Sequence, residues 1–362
     1  MSTNTKPHNA SSTTHCDIDS ALDQLPQFDA VIDVRSPGEF AEDHIPGAIN
    51  CPVLDDQQRI QVGTLYKQVG PFEASKVGAS LVAANISRHI DQHVMAMRKD
   101  WQPLIYCWRG GKRSGSLALV LGQIGFRVWL IEGGYKAFRA AMLEDIHRLA
   151  PQYQYRVISG STGSGKTRLL QALRSEGAQV LDLEDLAQHR SSVLGHIPGQ
   201  SQPSQKHFDT LVWQNLKQFD PARVVFVESE SRKVGNLSIP ETLILAMRNS
   251  PCYELILPFS ERVALLLEDY NFFVADPELF CRRLDALIAI RGKAVVDAWK
   301  GQVQAGQFEP VVHELLEIHY DPTYASSMRR NYARFQENVK CEAVNRHPET
   351  MHELAKQLIA KN

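Results

Sequence analysis

VISGSTGSGKTRLLQAL, Val157 to Leu173, decides the fold of the second half of this 362-residue chain. Its centre, Gly160-Ser161-Thr162-Gly163-Ser164-Gly165-Lys166-Thr167, fits G-x-x-x-x-G-K-[ST]. A strand-like run, Arg156–Ser159, precedes it, and Leu169, Leu170 and Leu173 mark a helix after it. That strand–loop–helix context separates a phosphate-binding loop from a chance match. In such a loop the backbone N–H groups wrap a diphosphate, Lys166 neutralises its outer oxygens and the Thr167 hydroxyl meets Mg²⁺. The expected partner strand, Val224–Val227, ends in Glu228-Ser229-Glu230. Glu228 and Glu230 are therefore candidate Mg²⁺ ligands, with Asp182 and Glu184 as further candidates after another apolar run. No glutamine or arginine finger is apparent. The motif predicts phosphate binding and does not by itself predict nucleotide hydrolysis.

Working outward, Gln179–Leu183 and Tyr253–Leu257 read as further strands of the same sheet. Beyond about Ser260 the pattern is mostly helical, with Leu279, Phe280, Leu284, Leu287 and Ile288 on one face. Upstream, Ala30–Val34, Ala48–Cys51, Leu104–Tyr106 and Val128–Ile131 are short apolar runs bounded by Pro and Gly. Leu117, Val120, Leu121 and Ile124 between them follow helical spacing. Strands alternating with helices predict a parallel, doubly wound α/β sheet in each half. The expected division is a frayed Ser/Thr-rich start (1–18), a first α/β domain (19–145) and a polar, Pro151-bearing linker (146–154). A P-loop α/β domain (155–260) and its helical extension (261–362) follow.

Composition narrows the class. At 43 % hydrophobic and 22 % charged residues, the chain is an ordinary globular protein. Thirty-nine basic against 41 acidic side chains, a formal net charge of −2, exclude a uniformly basic coat. Local basic patches such as Arg282-Arg283, Arg291-Lys293 and Arg329-Arg330 remain, and they read first as solvated helix faces. Six cysteines without any Cys-x-x-Cys predict neither a disulfide framework nor a structural metal site. The longest apolar stretches, Leu117–Leu121 and Val263–Leu267, are far too short to span a bilayer, and the first ten residues lack an apolar core. The default compartment is the reducing cytoplasm, where a free thiolate can do chemistry.

A second segment carries chemistry: LIYCWRGGKRSGS, Leu104 to Ser116. A strand ends at Cys107, a Gly/Arg-rich loop follows, and a helix begins near Ser114. Gly110 and Gly111 let several N–H groups turn inward. The helix start adds its positive dipole end, and Arg109 and Arg113 add charge. A thiol at the centre of such a nest has a depressed pKa. The same cradle suits an anion carried on or near the sulfur. Cys16, Cys51, Cys252, Cys281 and Cys341 lack these surroundings; Cys51 is the candidate resolving partner.

Upstream stands FDAVIDVRSPGEFAEDHIPGAINCPV, Phe28 to Val53, and downstream LIEGGY, Leu130 to Tyr135. With the cysteine loop, these motifs resemble a rhodanese domain. The resemblance implies that Cys107 is the chalcogen-carrying position, and Asp33 and Arg35 read as a structural pair beside it. Over nearly its whole length, from about Asp29, the chain resembles the bacterial tRNA 2-selenouridine synthase family. The residues that carry this are GTLYKQVGPFEASKVGA (Gly63 to Ala79), YCWRGGKRSGSLA (Tyr106 to Ala118), SGSTGSGKT (Ser159 to Thr167), LDLEDLAQHR (Leu181 to Arg190) and VESESRKVGN (Val227 to Asn236). The run His189–Ser192 departs from the family by lacking a Gly after Arg190.

The resemblance implies a transferase acting on tRNA that carries 2-thiouridine at the wobble position. It implies replacement of the sulfur by selenium from selenophosphate, by way of an S-geranyl intermediate made from geranyl diphosphate. These are co-substrates, Mg²⁺ is the expected ion, and no tightly bound cofactor is implied. Selenophosphate synthetase is the implied selenium source. Trp108, Arg232 and Lys233 are candidate tRNA contacts, with Trp213 a weaker one. Three rivals stay open on the residues alone. Cys-x₅-Arg is also the spacing of a cysteine phosphatase loop, although an aspartate-bearing acid loop is missing. A nucleotide-sensing module and an ATP-dependent sulfurtransferase use the same P-loop.

Overall fold

In the computed structural model, residues 13–192 and 194–362 are described, and they form two units that divide between Glu144 and Asp145. Each unit is built on its own five-stranded, all-parallel sheet. The first holds β1 (Thr13–Cys16), β2 (Ala30–Asp33), β3 (Ala48–Asn50), β4 (Pro103–Tyr106) and β5 (Val128–Ile131), in the order β1-β5-β4-β2-β3. All four residues of β4 are buried, as a strand covered on both faces requires. Its helices include α1 (Asp56–Gln68), α2 (Pro71–His89), α3 (Lys112–Ile124) and α4 (Gly134–Leu149). Leu117, Ala118 and Leu121 of α3 pack with Ile32, Ile105 and Leu130 into one core.

The second unit holds β6 (Tyr155–Ser159), β7 (Gln179–Leu181), β8 (Val225–Glu228), the short antiparallel pair β9 (Lys233–Val234) and β10 (Leu237–Ser238), β11 (Cys252–Ile256) and β12 (Val339–Glu342). The parallel sheet runs β12-β11-β6-β8-β7. The P-loop strand β6 is thus central, with the Glu228-bearing strand β8 directly beside it. Four helices matter for the site: α5 (Lys166–Ser175), α6 (Gln205–Gln218), α7 (Phe259–Asp269) and α8 (Asp321–Asn331). A last helix, α9 (Pro348–Ala360), packs Met351, Leu354 and Leu358 against Leu169, Leu170 and Leu173 of α5. Leu284, Leu287, Val296 and Trp299 form a separate helical core. Among the described residues, no helix is long and apolar enough to cross a membrane.

Several expectations are corrected. Thr13–Cys16 is a strand rather than frayed chain, paired in register with Val128–Ile131; residues 1–12 of the expected flexible start lie outside the described residues. Its polar Thr-Thr-His-Cys sequence hides an edge strand, which needs no apolar run. Residues 146–154, read as a linker, continue α4 to Leu149 and then form a 3₁₀ turn, Ala150–Gln152. Ile146, Leu149, Ala150 and Tyr153 are buried there, so the polar residues occupy one face only. Val339–Glu342 is a strand inside the stretch expected to be helical; only Cys341 of its four residues is buried, as on a charged edge. Ile124 is exposed, at the last turn of α3 before the left-handed Gly125.

Candidate functional site

The first site forms where β4 ends. Cys107 is buried, and its Sγ accepts hydrogen bonds from the Gly111 N–H (3.2 Å) and the Ser114 hydroxyl (3.2 Å). Gly111 caps α3, so the thiol faces the positive end of that helix. Burial works against ionisation here. The Ser114 hydroxyl and the backbone N–H groups of Ser114, Arg109 and Gly111 more than offset it, and the Cys107 thiol titrates below its ordinary value. The other five cysteines move the opposite way: burial pushes Cys16, Cys51 and Cys252 up to about 11 and also raises Cys281 and Cys341. One thiol of six is shifted toward the thiolate.

The loop is rigid because a second glycine turn lies against it. The N–H groups of Tyr135 and Lys136 donate to the carbonyls of Cys107 (2.8 Å) and Trp108 (3.0 Å). A Cβ on Gly134, which has φ +58°, would lie 2.2 Å from the Cys107 carbonyl oxygen, so only glycine permits this approach. Beneath the loop, Arg35 makes a buried, bidentate pair with Asp33 (2.6 Å at its shortest). Its guanidinium sits 3.9 Å from the centre of the Tyr135 ring.

The arginines do not act as the sequence suggests. Arg113 is paired with Glu39 (2.7 Å), which it shares with Arg59 (3.0 Å), so its guanidinium is engaged in an ion pair and only partly neutralised. Arg109 is exposed, and its contribution to the thiolate comes through its backbone N–H. Sequence reasoning missed Ser114. Its signal was present as a hydroxyl residue in the first turn of the helix that follows the cysteine loop. Trp108 is half-buried and packs on Tyr135, with ring centres 5.4 Å apart.

The second site lies at the end of β6. Gly160, Gly163 and Gly165 all have positive φ, and a Cβ on Gly160 would meet Ser164 Oγ at 2.5 Å and the Leu255 carbonyl at 2.7 Å. Lys166 donates to the Gly160 carbonyl (2.7 Å), and its Nζ lies 5.5 Å from the centre of the Tyr324 ring. The Gly160 N–H donates to the Tyr324 hydroxyl (2.6 Å), which also bonds Ser229 (3.1 Å). Arg262 is buried; it donates to the Thr162 carbonyl (2.7 Å) and is paired with Asp321 (2.6 Å), so α7 and α8 brace the loop. Ser161, Thr162 and Gly163 are half-buried, Ser164 and Gly165 are buried, and Thr167 is exposed.

Three carboxylates, Glu184, Glu230 and Glu228, act on the lysine, and Asp182 acts on two of them. Burial, then mutual repulsion with Asp182, Glu230 and Glu184, raises Glu228 well above the carboxylate range. Glu230 is pushed up to about 8 by burial and by Glu184. Asp182 and Glu184 are raised as well, burial first. Burial lowers Lys166, against the pull of Glu184, Glu230 and Glu228. Glu228 Oε1 accepts from the Glu184 N–H (2.8 Å), whereas its Oε2 and the Ser164 hydroxyl are buried with no partner. A carboxylate oxygen without a donor, beside a P-loop, fits a cation. The structure therefore gathers the expected Mg²⁺ candidates Glu228 and Glu230, with Glu184, around Lys166, and sets Asp182 close enough to Glu228 and Glu184 to act on both. Ser191 of the departing His189–Ser192 run closes onto them, its N–H donating to Glu184 (2.6 Å).

Beside the loop lies a narrow apolar cavity of about 50 Å³. Thr162 of the P-loop lines it together with Leu266, Tyr270, Phe273, Leu316 and Tyr320. No sequence motif announces it, because its walls come from five helical segments spread over residues 259–320 as well as from the P-loop. Of the candidate tRNA contacts, Arg232 and Lys233 are exposed at the start of β9, and Trp213 is core, donating its indole N–H to Asp145 (3.1 Å).

Residues 17–141 match the rhodanese-like domain family, and residues 153–277 match the tRNA 2-selenouridine synthase AAA domain family. A protein of Nitrosomonas europaea described as tRNA 2-selenouridine synthase is 38 % identical over 244 residues. That alignment covers 66 % of this chain and 63 % of the relative, just under two thirds of its length. One of Bdellovibrio bacteriovorus with the same description is 31 % identical over 347 residues, 83 % of this chain and 89 % of its own. The crystal structure of a rhodanese-related protein from Thermoplasma volcanium aligns at 16 % identity and a TM-score of 0.24, covering 35 % of this chain and 91 % of that one.

Proposed function

Because the chain belongs to the tRNA 2-selenouridine synthase family, we propose that it is a transferase that exchanges the sulfur of wobble 2-thiouridine in tRNA for selenium. The exchange runs through an S-geranyl intermediate. The observation that carries this reading is the position of Thr162, at once in the phosphate loop and in the wall of the apolar cavity. A diphosphate held by the loop N–H groups and Lys166 places an attached hydrophobic chain at that wall. This suits a prenyl diphosphate.

The chemistry balances without a redox step. The thiocarbonyl sulfur attacks C1 of geranyl diphosphate, the C1–O bond breaks, diphosphate leaves, and the base loses its N3 proton. C2 is now isothiourea-like and its sulfur a competent leaving group. The selenium of selenophosphate attacks C2, geranyl thiol departs, and water cleaves the Se–P bond to release phosphate. Lys166 and the loop N–H groups stabilise the departing diphosphate electrostatically. Thr167, Glu228, Glu230 and Asp182 would hold Mg²⁺, which supplies further neutralisation of that leaving group when bound. The Gly/Arg loop beside Cys107, with its exposed Arg109, offers the docking point for the selenium donor, which selenophosphate synthetase would supply. Trp108 offers a face on which a splayed base can stack, and Arg232 and Lys233 offer phosphate contacts. The reaction has a cytoplasmic substrate, so a cytoplasmic setting follows.

The test uses tRNA bearing wobble 2-thiouridine, incubated with the chain, geranyl diphosphate and Mg²⁺, then with selenophosphate. Digested nucleosides are followed by mass spectrometry. The expected result is a geranyl adduct that converts to 2-selenouridine. An unchanged nucleoside with geranyl diphosphate, alongside turnover with ATP or a sulfur donor, overturns the proposal.

A further inference from the structure

Cysteine spacing predicts no structural metal, yet the fold brings together three ligand-type side chains from segments that no motif connects. Cys51 follows β3, His89 ends α2, and His93 lies in the π-turn Ile90–Val94 that continues it. One ligand atom from each lies within 4.8 Å of the other two; among the described residues this is the one such set of three. Tetrahedral Zn²⁺ with imidazole and thiolate ligands needs donor–donor separations of about 3.4–3.8 Å. Modest side-chain rotation closes that gap.

The hydrogen bonding of His89 points to a ligand. Its Nε2 lies 2.8 Å from the Pro52 carbonyl, which can only accept, so the proton is on Nε2. Nδ1 therefore carries a bare lone pair, and that atom is buried with no hydrogen-bond partner. A backbone carbonyl that fixes the tautomer of one ring nitrogen while the other stays free is the outer-shell arrangement of metal-bound histidine. The wide π-turn offsets His93 from the regular helical register; its ring sits 6.0 Å from that of His89, with 26° between the planes. Cys51 is buried and is not in a disulfide.

We propose that Cys51, His89 and His93 bind a borderline divalent metal ion, Zn²⁺, as one thiolate and two imidazoles. The exposed side of His93 leaves a fourth position for water. The ion ties the end of α2 to the chain leaving β3. Binding releases the thiol proton of Cys51 to solvent, a simple acid dissociation with no redox partner.

The test is titration of the tag-free full chain with Co²⁺, read by the thiolate-to-metal charge-transfer band and by competition with Zn²⁺. One ion per chain is expected. The band is expected to vanish in Cys51→Ser, to weaken by roughly a hundredfold or more in affinity in His93→Ala, and to persist in Cys107→Ala. His93→Ala removes an exposed side chain, and its far-ultraviolet circular dichroism serves as the folding control. Absence of a band, a band indifferent to His93→Ala, or a band lost with Cys107 each overturns the assignment.

Discussion

The cysteine loop and the P-loop share one plan, strand end, glycine turn and helix start, but they balance charge in opposite ways. Around Cys107 the donors are neutral: a hydroxyl and three backbone N–H groups, with Arg113 spent on Glu39. The anion they favour is the protein's own thiolate. Around Lys166 there is an excess of carboxylate, with Glu228 Oε2 lacking any donor. The first nest is complete as it stands. The second has carboxylate in excess, which a bound cation would offset. Similar backbone geometry therefore says little about what a loop holds; the side chains packed behind it decide.

If each nest serves its own step, the two must fail separately. The largest effect is expected from Cys107→Ala: selenation falls by roughly a thousandfold, the upper range for losing a preorganised electrostatic element of a site, while the geranyl adduct still forms. Nucleoside mass spectrometry distinguishes the products, and normal selenation by this variant removes the thiol from the mechanism. Lys166→Ala is expected to slow geranyl transfer by roughly a hundredfold to a thousandfold, the range for losing one electrostatic contact to a developing charge. Unimpaired transfer would break the comparison at its second term.

How far the two nests were legible in sequence follows from the same contrast. Gly160–Thr167 and Cys107–Arg113 are contiguous, so spacing alone located both, and the short apolar runs of β2, β4, β5 and β8 located the sheets that present them. Ser114, Tyr324, Arg262 and the cavity wall were not legible in this way. Tyr324 reaches the Gly160 N–H from the far end of the chain, and Leu316 joins Leu266 only after the helices pack. Polar edge strands, Thr13–Cys16 and Val339–Glu342, were invisible because an edge need not be apolar. Arg113 misled for the complementary reason: its partner Glu39 lies in a motif that reads as pure scaffold.

A smaller effect sharpens the assignment of the hydrophobic chain. Leu316 lines the cavity and is fully buried. Leu316→Trp is expected to raise the KM for geranyl diphosphate by roughly tenfold to a hundredfold, the worth of about 1–3 kcal/mol in a hydrophobic pocket. A five-carbon prenyl diphosphate should be affected less, because it does not reach as deep. Equal losses for both chain lengths would place the prenyl group elsewhere and leave the phosphate site intact.

The smallest change asks whether the thiolate nest depends on its one side-chain donor. The Cys107 thiol titrates below its ordinary value because hydrogen bonds to the charged form outweigh burial, with Ser114 the strongest of them. Removing a donor to the anion favours the protonated thiol, so the shift must be upward. In Ser114→Ala, the pH midpoint for alkylation of Cys107 by iodoacetamide is expected to rise by about one to two units, since a hydrogen bond to a charged group is worth about 1.5–3 kcal/mol. Cys107→Ala supplies the background from the five thiols that burial holds high. An unchanged midpoint would mean that the backbone N–H groups and the start of α3 hold the thiolate unaided. The cysteine loop would then be, like the P-loop, a nest made by backbone first and side chains second.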